Sequence, residues 1–214
     1  MNGPVPAGAC VDVDGEDYIA GWNKRDAWQA LRGRLVPGNP DGWGEAYTDY
    51  YKERLDLRYL NPIKIMQEHG TFVGEGFAIA AIQCTLIEFL ESTEQGKNFV
   101  YGKKPGQYEY GISQDVFVSF LTNRQPFKGA FTEVSAKDFY VGVRCGLLHE
   151  AQTKNGWRIW GGNALQGQIV DANKRVVNRD NFQAALLAYI DDYGARLPND
   201  AALQAAFIRK LDAL

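Results

Sequence analysis

The chain has 214 residues, of which 45% are hydrophobic and 23% charged, with a formal net charge of −3. That length suits a single domain with a buried core, and the composition excludes extensive disorder. The slightly acidic balance excludes the global basic field of a general nucleic-acid binder. It leaves local basic clusters (Lys97, Lys103 and Lys104; Lys174, Arg175 and Arg179), which read first as solvated loop charge.

Residues 1–20 read as a loose segment, and 21–214 as one helical domain. MNGPVPAGACVDVDGED has no basic segment followed by an apolar one, so no signal peptide is expected. Ala27, Trp28, Leu31 and Leu35 recur at helical spacing and predict a helix over 23–35. VPGNPDGWG (36–44) is a dense turn signal. A second helix follows over 45–60, and Pro62 predicts a break. The most apolar helix is predicted over 72–95, with Gly96 in position to end it. Residues 97–111 read as a loop rich in glycine and tyrosine. ISQDVFVSFLTN (112–123) reads as a short helix capped by Ser113. Ser135 and Asp138 read as a capping box for a helix over 136–151. WRIW, QGQIVDA and KRVVN then predict a small β flap over 156–178, with DANK as a turn. Asn178 or Asp180 is expected to cap a helix, Pro198 and Asn199 to punctuate, and AALQAAFIRKLDAL to form the last helix. The expected fold class is mainly α: a helical bundle with a small β-hairpin or flap inserted before the C-terminal helices.

Cys10, Cys84 and Cys145 are odd in number and far apart, so a reduced, cytoplasmic setting is the simplest expectation. With only two histidines, His69 and His149, no metal site is expected, and no cofactor motif is present. The longest apolar stretch, residues 77–90, carries Gln83 and Glu88 and falls short of the ~20 residues of a membrane span, so no membrane partner is expected.

The chemistry concentrates in VRCGLLHEAQTKNGW (143–157). Arg144 and His149 are five positions apart, about 140° around a straight helix at ~100° per residue. A long arginine stem and a loosening Gly146 could bring them together, or a second copy could complete the pair across a two-fold axis. An imidazole moves protons near neutral pH, and a guanidinium fork fits phosphate oxygens. Together they suit cleavage of an RNA phosphodiester by its own 2′-hydroxyl, with no metal required. The bland alternative has His149 at a helix C-terminus facing the last carbonyls, and Arg144 paired with Glu75 or Glu88.

Arg144-Cys-Gly-Leu-Leu-His149 resembles the R-x(4–6)-H motif of the HEPN superfamily of small helical bundles. The resemblance covers roughly residues 70–195, the HEPN-like core, and only the Arg and His are motif-specific. It implies a metal-independent endoribonuclease, in toxin–antitoxin, phage-defence or RNA-processing settings, working as a homodimer with both motifs lining one cleft. Under it His149 transfers the proton, Arg144 binds the phosphate or transition state, RNA is the substrate, and an antitoxin or regulatory protein is a partner. It equally allows a non-catalytic member that binds protein or RNA. The family often has a polar residue after the Arg, and here it is Cys145, a weak donor.

Other readings carry less. Cys145 and His149, at i and i+4, could form a nucleophile pair. Glu75 and Glu88 are thirteen residues apart, ~20 Å along a helix, too far to flank one bond. Glu88 could instead orient Arg144 from the preceding helix. GTFVGEG (70–76) lacks the Lys-Ser/Thr of a P-loop. Trp157 and Trp160 could stack on bases, or simply fill core.

Overall fold

The computed structural model describes residues 17–71 and 74–214. The expected loose segment therefore falls outside the described residues over 1–16, as does Cys10. The described part of that segment is not loose. Strand β1 (Tyr18–Ala20) is buried and pairs antiparallel with β2 (Asn23–Lys24). That pairing delays the first helix, α1 (Arg25–Arg32), which buries Trp28 and Leu31.

Helix α2 spans residues 40–69 and begins inside the expected turn. Asn39 caps it by accepting from the Gly42 amide, and Pro40 sits in its first turn, where no donor is needed. Burial of Trp43 and Ala46 then outweighs the two local glycines. Pro62 does not break this helix. Two π turns, Tyr47–Lys52 and Asp56–Leu60, widen it, and Pro62 falls at the start of the final α segment, Asn61–His69.

Helix α3 (Glu75–Gln95) is the centre of the fold. It touches α2 and every later helix: α4 (Ser113–Asn123), α5 (residues 133–150), α6 (Arg179–Arg196) and α7 (Ala201–Leu211). Gly96 ends it in the left-handed conformation at φ 61°, and a Cβ there would come within 2.6 Å of the Ala206 Cα. The loop over 97–111 is pinned at its base by a parallel pair, β3 (Asn98–Phe99) with β4 (Glu109–Tyr110).

Helix α5 starts earlier than its sequence predicts. Its capping box is Thr132 with Ser135, not Ser135 with Asp138: the Ser135 amide donates to Thr132 Oγ1 at 3.1 Å, and the Thr132 amide to Ser135 Oγ at 2.9 Å. Asp138 instead accepts from Trp157 Nε1 at 3.1 Å and Arg175 Nε at 2.9 Å, tying the helix to the flap.

The flap is a three-stranded sheet, β5 (Arg158–Trp160), β6 (Val170–Asp171) and β7 (Val176–Asn178), in the order β5-β7-β6. β6 and β7 form the expected hairpin across DANK, while β5 lies parallel to β7. Asn178 caps α6 by accepting from the Asp180 and Asn181 amides. A 3-10 turn (Leu197–Asn199) leads into α7, capped by Asp200. The architecture is mainly α with small sheets: seven helices among the described residues. Trp28 Nε1 and Arg32 Nε donate to the Asp212 carboxylate, which fastens α1 to the end of α7.

A buried ion network locks α3 to its neighbours. Glu91, fully buried, accepts from Arg124 at 2.7 and 3.0 Å and from Ser119 Oγ at 2.6 Å. Glu94 accepts from Arg196 at 3.0 and 3.1 Å, from Arg124 at 3.3 Å and from Tyr189 OH at 2.7 Å. Such a network stabilises only while every charge keeps its partner. Arg124→Ala strands Glu91 and is expected to cost about 3–5 kcal/mol in urea denaturation. Pairing it with Glu91→Leu should recover most of that loss, and a double variant as unstable as the single one would contradict the network.

Candidate functional site

The second half of α5 carries the Arg–His motif. A π turn, Tyr140–Cys145, is followed by an α segment, Gly146–Glu150, and Ala151 ends the helix in the left-handed conformation at φ 54°. The chain then doubles back against the helix, and the Lys154 amide donates to the Gly142 carbonyl at 2.6 Å. Both glycines here are packing requirements. A Cβ on Gly142 would meet Trp157 Cδ1 at 2.4 Å, and one on Gly146 the Gln152 carbonyl oxygen at 2.6 Å. Gly146 therefore holds the returning chain close, and does not act as the loosening point its position between Arg144 and His149 predicts.

Arg144 is half-buried and turned toward α3. Its guanidinium lies 3.6 Å from Glu88 Oε2 and over the Tyr140 ring at 5.3 Å. Glu88 is itself held in place, since Ser113 Oγ donates to its Oε1 at 2.7 Å and Tyr110 OH at 3.1 Å. Ser113 thus serves Glu88 and makes no cap bond to its own helix. Burial, and then the Glu88 charge, push the Tyr110 phenol above its ordinary range. Of the two acids expected as partners of Arg144, Glu88 is the one used. Glu75 sits 3.5 Å from Arg179.

His149 is exposed near the end of α5 and makes no hydrogen bond or ion pair among the described residues. Within one chain the structure does not join it to Arg144, which follows from their spacing around the helix. Cys145 is half-buried, and no hydrogen bond links it to His149. The nearby Cys84 thiol is pushed up to about 12 by burial, with Arg144 acting against that shift. The helix also exposes apolar residues seven positions apart: Val134 at 80%, Val141 at 45% and Leu148 at 63%.

The tryptophans divide. Trp157 is core and donates to Asp138, while Trp160 is exposed beneath Arg158, 5.3 Å from its ring. GTFVGEG cannot be followed through Phe72 and Val73, which lie outside the described residues. Among the described residues no group of three His, Cys, Asp or Glu side chains could hold a metal, and no helix is long and apolar enough to cross a membrane. A cleft of about 350 Å³ lies beside the Glu88 cluster, lined by Lys97, Glu109, Tyr110, Ile112 and Asp115 among others. A second, of about 950 Å³, opens between the start of α5 and the flap, between Ser135, Asp138, Asp171 and Arg175.

Sequence reasoning missed three polar residues here. Tyr110 and Ser113 lie in stretches read as loop and cap, and nothing local points them at Glu88. Lys210 had a legible signal, because Leu203, Phe207 and Lys210 share one apolar face of the last helix. Its side chain is buried, and its Nζ donates to the Lys97 carbonyl at 3.1 Å and lies 5.6 Å from the Phe89 ring centroid.

Burial, reinforced by Arg54, lowers the Lys210 ammonium to about 8. In an unfolded chain a lysine titrates near 10.4, so between these values the unfolded state binds a proton that the folded state does not. Stability attributable to Lys210 therefore rises with pH through that window and is lowest below it. Relative to Lys210→Met, the wild type should gain on the order of 2 kcal/mol between pH 8 and 10 in urea denaturation. Parallel pH profiles for the two proteins would contradict this. No protein-family model, no curated protein and no solved structure matches the chain.

Proposed function

We propose that the protein is a metal-independent endoribonuclease of HEPN type, with His149 as the proton-transfer residue and Arg144 as the phosphate and transition-state binder. The observation that carries this reading is the pairing of states on one helix. An imidazole stands in solvent without a partner, five residues after a half-buried arginine whose guanidinium is oriented by Glu88 at 3.6 Å. That distance is longer than a direct charged hydrogen bond, so the fork keeps donors for phosphate oxygens. Glu88 positions Arg144, and Tyr110 and Ser113 position Glu88.

Because Arg144 and His149 are not joined within one chain, the active unit in this reading is a homodimer. The exposed Val141 and Leu148, which flank the motif, are apolar surface a second copy would cover. The resemblance further places the activity with a toxin or phage-defence effector, restrained by an antitoxin or regulatory protein.

A second reading, a non-catalytic helical protein that binds a protein or RNA partner, is favoured by one observation. The charge of Arg144 is already partly compensated by Glu88.

The deciding experiment is RNA cleavage in EDTA. Wild type should cleave, and His149→Ala should lose about 10²-fold or more with an unchanged circular dichroism spectrum, because the exposed side chain makes no hydrogen bond or ion pair among the described residues. Leu148→Glu should shift the protein to monomer in sedimentation and lose activity with it. No cleavage of structured or unstructured RNA by wild type would move the assignment to the second reading.

A further inference from the structure

We propose that the loop over residues 97–111 binds single-stranded RNA. The choice of RNA rests on the endoribonuclease reading, while the loop's affinity for a single strand rests on the loop itself. Three features meet there. First, three of its four aromatic rings are exposed: Tyr101 at 91%, Phe99 at 50% and Tyr108 at 45%. Aromatic side chains left in water at this density are unusual unless something stacks on them. Second, the rings alternate with cations. Lys97 and Lys104 make no ion pair among the described residues, and the Arg209 guanidinium lies 4.1 Å from the Tyr108 ring centroid. Lys103 pairs with Glu109 at 2.9 Å and so neutralises the loop's one acid. The loop is therefore locally positive in a chain of net charge −3. Rings interleaved with cations are what a sequence-tolerant single-strand binder needs, because every base has a π face and every linkage a negative charge. A protein-docking patch would instead cluster its apolar side chains and keep charge to the rim.

Third, the loop is held in shape and its base adjoins the Glu88–Arg144 cluster. The Asn98 amide donates to the Tyr108 carbonyl and the Val100 amide to that of Tyr110, both at 2.9 Å. Phe99 packs edge-on against Tyr110 with ring centroids 5.5 Å apart. Tyr110 in turn donates to Glu88, which faces Arg144. A strand stacked on Phe99 and Tyr101 thus starts two side chains away from the arginine proposed to hold the scissile phosphate. Asp115 lines the adjoining cleft together with the Lys103-paired Glu109.

The test uses full-length protein carrying His149→Ala, so that binding is read apart from cleavage. The probes are a fluorescent single-stranded RNA twelve-mer and the same sequence as a duplex, followed by anisotropy at several salt concentrations. The single strand is expected to bind more tightly than the duplex. Tyr101→Ala should weaken it about tenfold, in line with the loss of one stacked base. Lys104→Gln should weaken it and reduce the magnitude of the salt slope by about 0.7. Both side chains are exposed and neither supports the fold, so thermal melting should be unchanged. Equal affinity for strand and duplex would overturn the proposal. So would unchanged binding in both variants, or a protein partner captured through Tyr101 while RNA affinity stays the same. Loop-dependent binding by the His149→Ala protein, with no cleavage by the wild type, would sink the nuclease reading and leave this one standing. Cleavage by a Tyr101→Ala, Lys104→Gln protein at wild-type KM and kcat would do the reverse.

Discussion

A helix of twenty-one residues that is apolar around most of its circumference has to be covered over most of it, and the rest of this fold answers that demand, leaving Phe77, Ala78 and Thr85 exposed. Helices α2, α4, α5, α6 and α7 close around α3, and the flap strand β5 reaches it as well. Covering it also buries the polar residues it carries, and each of these needs a partner from a different direction. Gln83 donates to the Arg179 carbonyl and to Gln183 on α6. Glu88 is served from β4, α4 and α5, Glu91 from α4, and Glu94 from α4 and α6. The apolar surface supplies the drive to assemble, and the spaced polar groups set the position in which each helix stops.

The candidate site grows out of the same arrangement. Glu88 stands at the rim of the buried stripe, where coverage by α5 is incomplete. There the carboxylate is fixed by a serine and a tyrosine. A guanidinium presented by α5 can meet it without full desolvation, so Arg144 is oriented and still reachable from solvent. Glu91 and Glu94, three and six residues further along, sit deeper and are consumed by structural arginines. Depth along one helix thus separates carboxylates that hold the fold from the one that aims a side chain.

Much of this was legible in the sequence. The central helix, its Gly96 stop, the flap and the two final helices follow from hydrophobic period and turn chemistry, which are local. The misplaced features share a non-local cause. The capping box fell on Thr132 because Asp138 is claimed by Trp157 and Arg175, residues 19 and 37 positions away. Pro62 failed to break α2 because π turns reset the helix before it, and no periodicity argument built on 3.6 residues per turn can foresee them. The neighbours of Ser113 look like a helix start and make it a cap candidate, whereas its hydroxyl serves an acid 25 positions earlier. At the site, residue types pointed to Arg144, His149 and Glu88, but the Tyr110 and Ser113 supports depend on how α3 and α4 meet.

The π turn at Tyr140–Cys145 has a geometric meaning for the motif. Upstream of it, Asp138 fixes the rotation of α5 against the flap. Downstream, Gly146 fixes the helix against the returning chain. Between these two clamps the wide turn sets the phase, deciding which compass direction Arg144 and His149 take relative to the anchored end. With regular α geometry in its place, both side chains would swing by a fraction of a turn, carrying the guanidinium off Glu88 and the imidazole to another side of the bundle. One inserted residue's worth of helix thus acts as an angular offset written into the backbone, and the aim of the motif depends on it as much as on the identity of its two residues.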